Sequence, residues 1–106
     1  MKKKNIILVI DTSSNKEISV GLEIDGKMEI LKHAVDRRTQ AVLPLTEKLL
    51  KKNKLTLKNL TGIKVNPGPG SFTGLRVGVS VANTLGYLLK IPINGKKVGE
   101  LVEPKY

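Results

Sequence analysis

Two stretches of this 106-residue chain hold residue types that could do chemistry: Asp11-Thr12-Ser13, and Asn66-Pro67-Gly68-Pro69-Gly70-Ser71-Phe72-Thr73-Gly74. The second is the more informative. Glycines and hydroxyls ahead of a helix are the ingredients of an anion cradle, because exposed amides and the electropositive helix N-terminus both favour negative charge. A phosphate loop of the G-x-x-x-x-G-K-[ST] kind also needs a lysine for the phosphates, and Gly70-Ser71-Phe72-Thr73-Gly74-Leu75 has none. The dinucleotide spacing G-x-G-x-x-G is missed as well, since Gly74 falls one residue late after Gly68 and Gly70. A strand-to-helix turn, with Ser71 or Thr73 capping the helix, accounts for the same residues. The chemical alternative is an anion or nucleotide loop built from Asp11, Ser13, Gly70, Ser71 and Thr73, with Asp11 near a metal.

Little else in the chain suggests catalysis. Cysteine is absent, so disulfides and thiolate metal sites are excluded. His33 is the single histidine and lies on a strand-like segment without an orienting partner, which argues against a hydrolytic triad. Asp11, Asp25 and Asp36 all fall where turns are expected, a common place for aspartate. No metal site and no cofactor are expected. The net charge of +10 invites a nucleic-acid reading. Yet all of the 19 basic residues except Arg37, Arg38 and Arg76 are lysines scattered along the chain, with no aromatic residues interleaved to stack bases. A solvated lysine-rich surface is the simpler account, with an electrostatic contribution to RNA held mainly by a partner as the other.

The elements that would position these residues follow from hydropathy patterning. At this length the chain forms one domain with a single modest core, and with only Phe72, Tyr87 and Tyr106 as aromatics that core is aliphatic. The apolar run of residues 6–10 reads as a strand covered on both faces. It is too short for a signal peptide or a membrane span, so the protein is read as cytoplasmic. Ile18, Val20, Leu22 and Ile24 alternate with smaller or polar residues, Asp25-Gly26 suits a type I′ turn, and Met28 and Ile30 restart the alternation to about His33. A first helix is predicted from Thr39 as N-cap, with Val42, Leu45 and Leu49 inward and Pro44 confined to its first turn. A connector over residues 55–60, a strand over 62–65, a second helix over 73–90 stopped by Pro92, and a short fifth strand at Ile93 complete the lobe. The tail from Asn94 to Tyr106 carries little apolar content beyond Val98, Leu101 and Val102, and its order is in question.

The second helix has an unusual face. Gly74, Gly78, Ala82 and Gly86 recur every four residues and so share one ridge. Glycine inside a helix costs about 1 kcal/mol relative to alanine, so another backbone must come close to that ridge. Either the first helix of the same chain or the helix of a partner fills the role. Replacing Gly78 with leucine distinguishes the two: a folded but unpaired chain indicates a partner, and loss of folding an internal contact.

The run Pro67-Gly68-Pro69-Gly70-Ser71-Phe72-Thr73-Gly74-Leu75-Arg76-Val77-Gly78 resembles the signature of the bacterial TsaB (YeaZ) family, accessory subunits in making N6-threonylcarbamoyladenosine in tRNA. Ile10-Asp11-Thr12-Ser13, Thr39-Gln40-Ala41-Val42-Leu43-Pro44 and Pro92-Ile93 occur in the order that family shows, so the similarity spans about residues 6–95. The resemblance implies an actin-like, ribonuclease-H-like α/β lobe over residues 1–95, a mixed sheet of about five strands with two main helices. Family members usually continue after the second helix into a second lobe, and here the chain departs from the pattern: a tail over 96–106 stands in its place, expected of either a one-lobed version or a truncated fragment. The implied function is non-catalytic: dimerisation with, and activation of, the paralogous threonylcarbamoyltransferase that modifies adenosine 37. The resemblance also implies an ATPase subunit in the same assembly, only indirect contact with tRNA, and a homodimer in isolation. The transferase holds its metal with a histidine pair on the first helix, and Arg37-Arg38-Thr39-Gln40-Ala41-Val42 has no histidine. The partner surface expected from the resemblance comprises Gly74, Gly78, Ala82 and Gly86, with Val81, Leu43 and Leu50. A reduced actin-like ATPase and a direct tRNA binder are the rival readings.

Overall fold

The alternation over residues 17–34 closes into a hairpin of β2 (Glu17–Ile24) and β3 (Lys27–Ala34), in a computed structural model that describes residues 4–34 and 41–106. Asp25 and Gly26 sit at φ +50° and +88°, the left-handed pair that a type I′ turn requires. β1 (Ile6–Asp11) pairs antiparallel with β2 and parallel with β4 (Gly62–Val65), giving the order β3-β2-β1-β4. This mixed sheet with two helices fits the actin-like, ribonuclease-H-like lobe that the resemblance implies.

Between β3 and β4 the chain forms α1 (Val42–Lys52), which packs on β2 and β3. Thr39, expected to cap this helix, lies outside the described residues, as do Arg37, Arg38 and Gln40; Ala41 stands at the cap position. Pro44 occupies the first turn, where its missing N–H would have had no partner within the helix. Buried Thr46 satisfies its hydroxyl by donating to the Val42 carbonyl at 2.7 Å. A 3₁₀ turn at Leu57–Asn59 leads into β4, and α2 (Phe72–Leu89) follows and packs on β4 and β1. Ser71 caps it, accepting from the Gly74 amide at 3.4 Å, and Lys90 ends it in the left-handed conformation ahead of Pro92.

Both helices cover one face of the sheet. Ile6, Leu8, Ile10, Val20, Leu22, Ile63 and Val65 form a single cluster with Val42, Leu49 and Leu50 of α1 and Val79, Ala82 and Leu85 of α2. The other face stands apart from this cluster: Ile7 and Val9 are half-buried, and Met28 and Ile30 are exposed. The expectation of a β1 covered on both faces is therefore corrected to one. No helix among the described residues is long and apolar enough to cross a membrane.

Among the described residues the sheet has four strands, not about five. Ile93 makes one parallel bridge to Ile63, and the chain then reverses at Asn94 and Gly95, both at positive φ. The Asn94 carboxamide takes over where a strand would have continued, accepting from the Val65 amide at 2.8 Å and donating to its carbonyl at 3.0 Å. The tail, whose order the composition left in question, is docked. Val102 is buried, its amide and carbonyl each bonded at 2.9 Å to the Asn83 side chain of α2, and the Lys105 amide donates to the Pro67 carbonyl at 2.6 Å. Low apolar content concealed this because one buried side chain, Val102, together with hydrogen bonds from a single asparagine, anchors the segment. Asn83→Ala removes two partly buried hydrogen bonds, a loss of about 1–3 kcal/mol. Urea unfolding will register it, and hydrogen exchange at the Val102 amide should accelerate selectively.

Candidate functional site

The loop after β1 and the loop before α2 meet, and their polar groups close on one another. One Asp11 oxygen accepts from the Ser13 amide at 3.0 Å, the Ser13 hydroxyl at 2.6 Å and the Asn66 carboxamide at 3.4 Å. The Asn66 side-chain oxygen Oδ1 accepts from the Gly68 amide at 3.0 Å, and the Ser71 amide donates to the Ser13 backbone carbonyl at 2.7 Å. Gly70 packs so closely on Ser13 that an added Cβ would stand 2.5 Å from its carbonyl oxygen. Thus Asp11, Ser13, Gly70 and Ser71 are brought together, while Thr73 lies elsewhere, exposed on the outer side of α2. The Ser13, Gly68, Ser71 and Gly74 amides are already committed within the chain, and Asp11 adds negative charge beside them. The geometry is that of a locked strand-to-helix turn.

Partial burial by itself would raise the Asp11 carboxyl, but the hydrogen bonds from the Ser13 hydroxyl and amide and from Asn66 outweigh it. The net effect holds Asp11 below the ordinary aspartate value. Among the described residues no group of three or more His, Asp or Glu side chains gathers in a metal-binding arrangement, and His33 is exposed on β3.

The small ridge of α2 faces inward, a correction to its expected role as partner surface. A Cβ on Gly74 would collide with the Thr12 carbonyl, and one on Gly78 with the Thr12 hydroxyl. That hydroxyl, itself buried, donates to the Gly74 carbonyl at 2.6 Å. Ala82 is fully buried, and a Cβ on Gly86 would stand 2.5 Å from the Ile93 side chain. The close approach is thus made neither by the first helix nor by another molecule, but by the β1 loop and the segment after α2. Leu50 is likewise withdrawn into the core at 3% exposure.

Of the expected partner surface, Val81 and Leu43 remain accessible. Val81 is half-buried in a groove of about 380 Å³ along the outer side of α2, with Thr73, Arg76, Val77 and Ser80. Leu43 is 46% exposed on α1. The sequence reading assigned no role to Phe72, Arg76 or Tyr106, which meet beside this groove. The Phe72 and Tyr106 rings stack with centroids 4.3 Å apart, and the Arg76 guanidinium carbon lies 5.4 Å from the Phe72 centroid. The scarcity of aromatics was the available signal, but the approach of Tyr106 depends on the docked tail.

Comparison with known proteins agrees with this fold. A family model described as "TsaD: tRNA N6-adenosine threonylcarbamoyltransferase" matches residues 32–96. The chain is 36% identical to the tRNA threonylcarbamoyladenosine biosynthesis protein TsaB of Buchnera aphidicola from Schizaphis graminum, over 86% of its own length and 43% of that protein's. It is 33% identical to the TsaB protein of Escherichia coli, over 84% and 38% respectively. The structure of YeaZ from Pseudomonas aeruginosa superposes with a TM-score of 0.77 at 29% identity, covering 88% of this chain and 44% of that one. The chain therefore spans less than half the length of these relatives.

Two measurements probe the site. Gly78→Leu should destabilise the fold by about 3 kcal/mol or more, because the new side chain has only Thr12 to displace; thermal unfolding reads this directly. Asp11, whose carboxyl is held low in the folded chain, contributes stability above the ordinary aspartate value of 3.8. That contribution is lost as pH falls through the lower native value. Asp11→Ala should therefore lower stability at pH 7 and flatten the acid side of the stability profile measured by urea unfolding.

Proposed function

The chain belongs to the TsaB family, and on that premise we propose that it serves the synthesis of threonylcarbamoyladenosine in tRNA as a non-catalytic subunit. In this reading it corresponds to one actin-like lobe and pairs with the catalytic threonylcarbamoyltransferase paralogue through the outer sides of α2 and α1. The observation that carries the proposal is the groove of Thr73, Arg76, Val77, Ser80 and Val81. α2 buries its small ridge against the loop after β1 and the segment that follows α2, and still presents an apolar centre, Val77 and Val81, rimmed by hydroxyls and one guanidinium. An apolar centre with a polar rim is the usual anatomy of a subunit contact.

The absence of a histidine pair at Arg37–Val42 and the closed bonding of Asp11 both favour a supporting role over catalysis. The same bonding counts against a reduced ATPase working from Asp11. The +10 charge would draw tRNA toward the assembly without requiring that this chain read it. In isolation the same groove would pair two copies of the chain, and an ATPase subunit would join the heteromeric assembly.

Val81→Asp tests the reading. A carboxylate at the apolar centre should weaken pairing by about a hundredfold, since an uncompensated charge in an interface costs about 3 kcal/mol. Thermal unfolding is read alongside, because Val81 is half-buried and packs against the core, and loss of pairing counts only in a variant that stays folded. Co-purification with the transferase paralogue that survives Val81→Asp would overturn the assignment.

A further inference from the structure

The segment after α2 ends in an arrangement that the partner reading does not by itself explain. Asn83 holds the Val102 backbone on both sides, and Pro67 takes the Lys105 amide. Gly68, at φ +122°, leaves the space that the Lys105 carbonyl occupies, since a Cβ there would meet it. These ties deliver Tyr106 onto Phe72, yet Phe72 and Tyr106 remain 56% and 57% exposed. Two of the three aromatic residues in the chain are thus stacked at the surface, at the end of the groove that includes Arg76. Aromatic and arginine side chains grouped in this way are the usual energetic centre of a protein contact.

The segment could act as a cover that a partner must displace or as a piece of the surface the partner meets. Displacement would break three hydrogen bonds together, expose buried Val102, and leave the Asn83 carboxamide and Pro67 carbonyl to be satisfied anew. The segment is built to stay. We propose that residues 102–106 are a fixed part of the partner surface, with Tyr106 on Phe72 as an aromatic anchor for a partner helix that brings a carboxylate to Arg76. Charge complementarity selects that occupant. Arg76 pairs with no carboxylate among the described residues, the groove lining has no acidic side chain, and the chain as a whole is strongly basic.

This inference rests on the pairing proposed above, and the test separates the two. Binding of the full chain to the purified transferase paralogue is measured by calorimetry for wild type, Val81→Asp, Tyr106→Ala, Tyr106→Phe and Arg76→Ala. Tyr106→Ala and Arg76→Ala should each weaken binding by about tenfold or more, and Tyr106→Phe, which keeps the stack, should bind nearly as wild type. Arg76→Ala should also flatten the dependence of affinity on salt, a readout that mere loosening of the tail would not move. If wild type binds, Val81→Asp does not, and Tyr106→Ala or Arg76→Ala binds unchanged, the pairing stands and the anchor is wrong. Tighter binding by Tyr106→Ala would identify the segment as a cover and overturn the proposal. Absence of wild-type binding overturns the pairing and this inference with it.

Discussion

The contact between Thr12 and the small ridge of α2 is the constraint on which the rest of the structure depends. Thr12 follows β1 directly, is buried, and gives its hydroxyl to the Gly74 carbonyl while its atoms fill the space that Cβ atoms on Gly74 and Gly78 would need. Helix and strand end can approach this closely only because those two positions lack side chains. The approach sets the angle at which α2 leaves the loop, lays Val79, Ala82 and Leu85 on the sheet, and turns Thr73, Arg76, Val77 and Val81 outward. The helical cost of the glycines is offset by burial that no side chain at those positions could permit.

The polar cluster beside that contact works in the same direction. Asp11, Ser13 and Asn66 are linked to one another and to the Gly68 and Ser71 backbone, so the two loops behave as one unit. Charge-assisted bonds to Asp11 are the stronger members of the set. An aspartate after the first strand and a glycine-rich loop before a helix are shared by nucleotide sites and tight turns alike. What separates the two is where the hydrogen bonds go, and here they go to the chain itself.

The periodic segments were legible from residue types. β1, the β2–β3 hairpin with its Asp25-Gly26 turn, the placement of Pro44 in the first turn of α1, and the span of α2 all followed from alternation, helical spacing and turn chemistry, which are local properties. Misreadings arose where a side chain stood in for a backbone element. The Asn94 carboxamide replaced continuation of a fifth strand, and Asn83 anchored a tail that composition left unassigned. Such substitutions leave no periodic trace, because a single asparagine carries them.

The small-residue ridge marks the boundary between what the two levels of description decide. By itself the sequence determined that something must come close to Gly74, Gly78, Ala82 and Gly86, since glycines in a helix need a compensating contact. It also carried the Ser-Phe-Thr-Gly-Leu-Arg motif on which the resemblance to the TsaB family rests. Only the tertiary structure decided that Thr12 and Ile93 make the close approach, which leaves the opposite side of the helix to present Val81, Arg76 and the Phe72–Tyr106 stack. The physical reason is that helical spacing specifies which residues share a side, whereas what that side meets depends on contacts between residues distant in the chain.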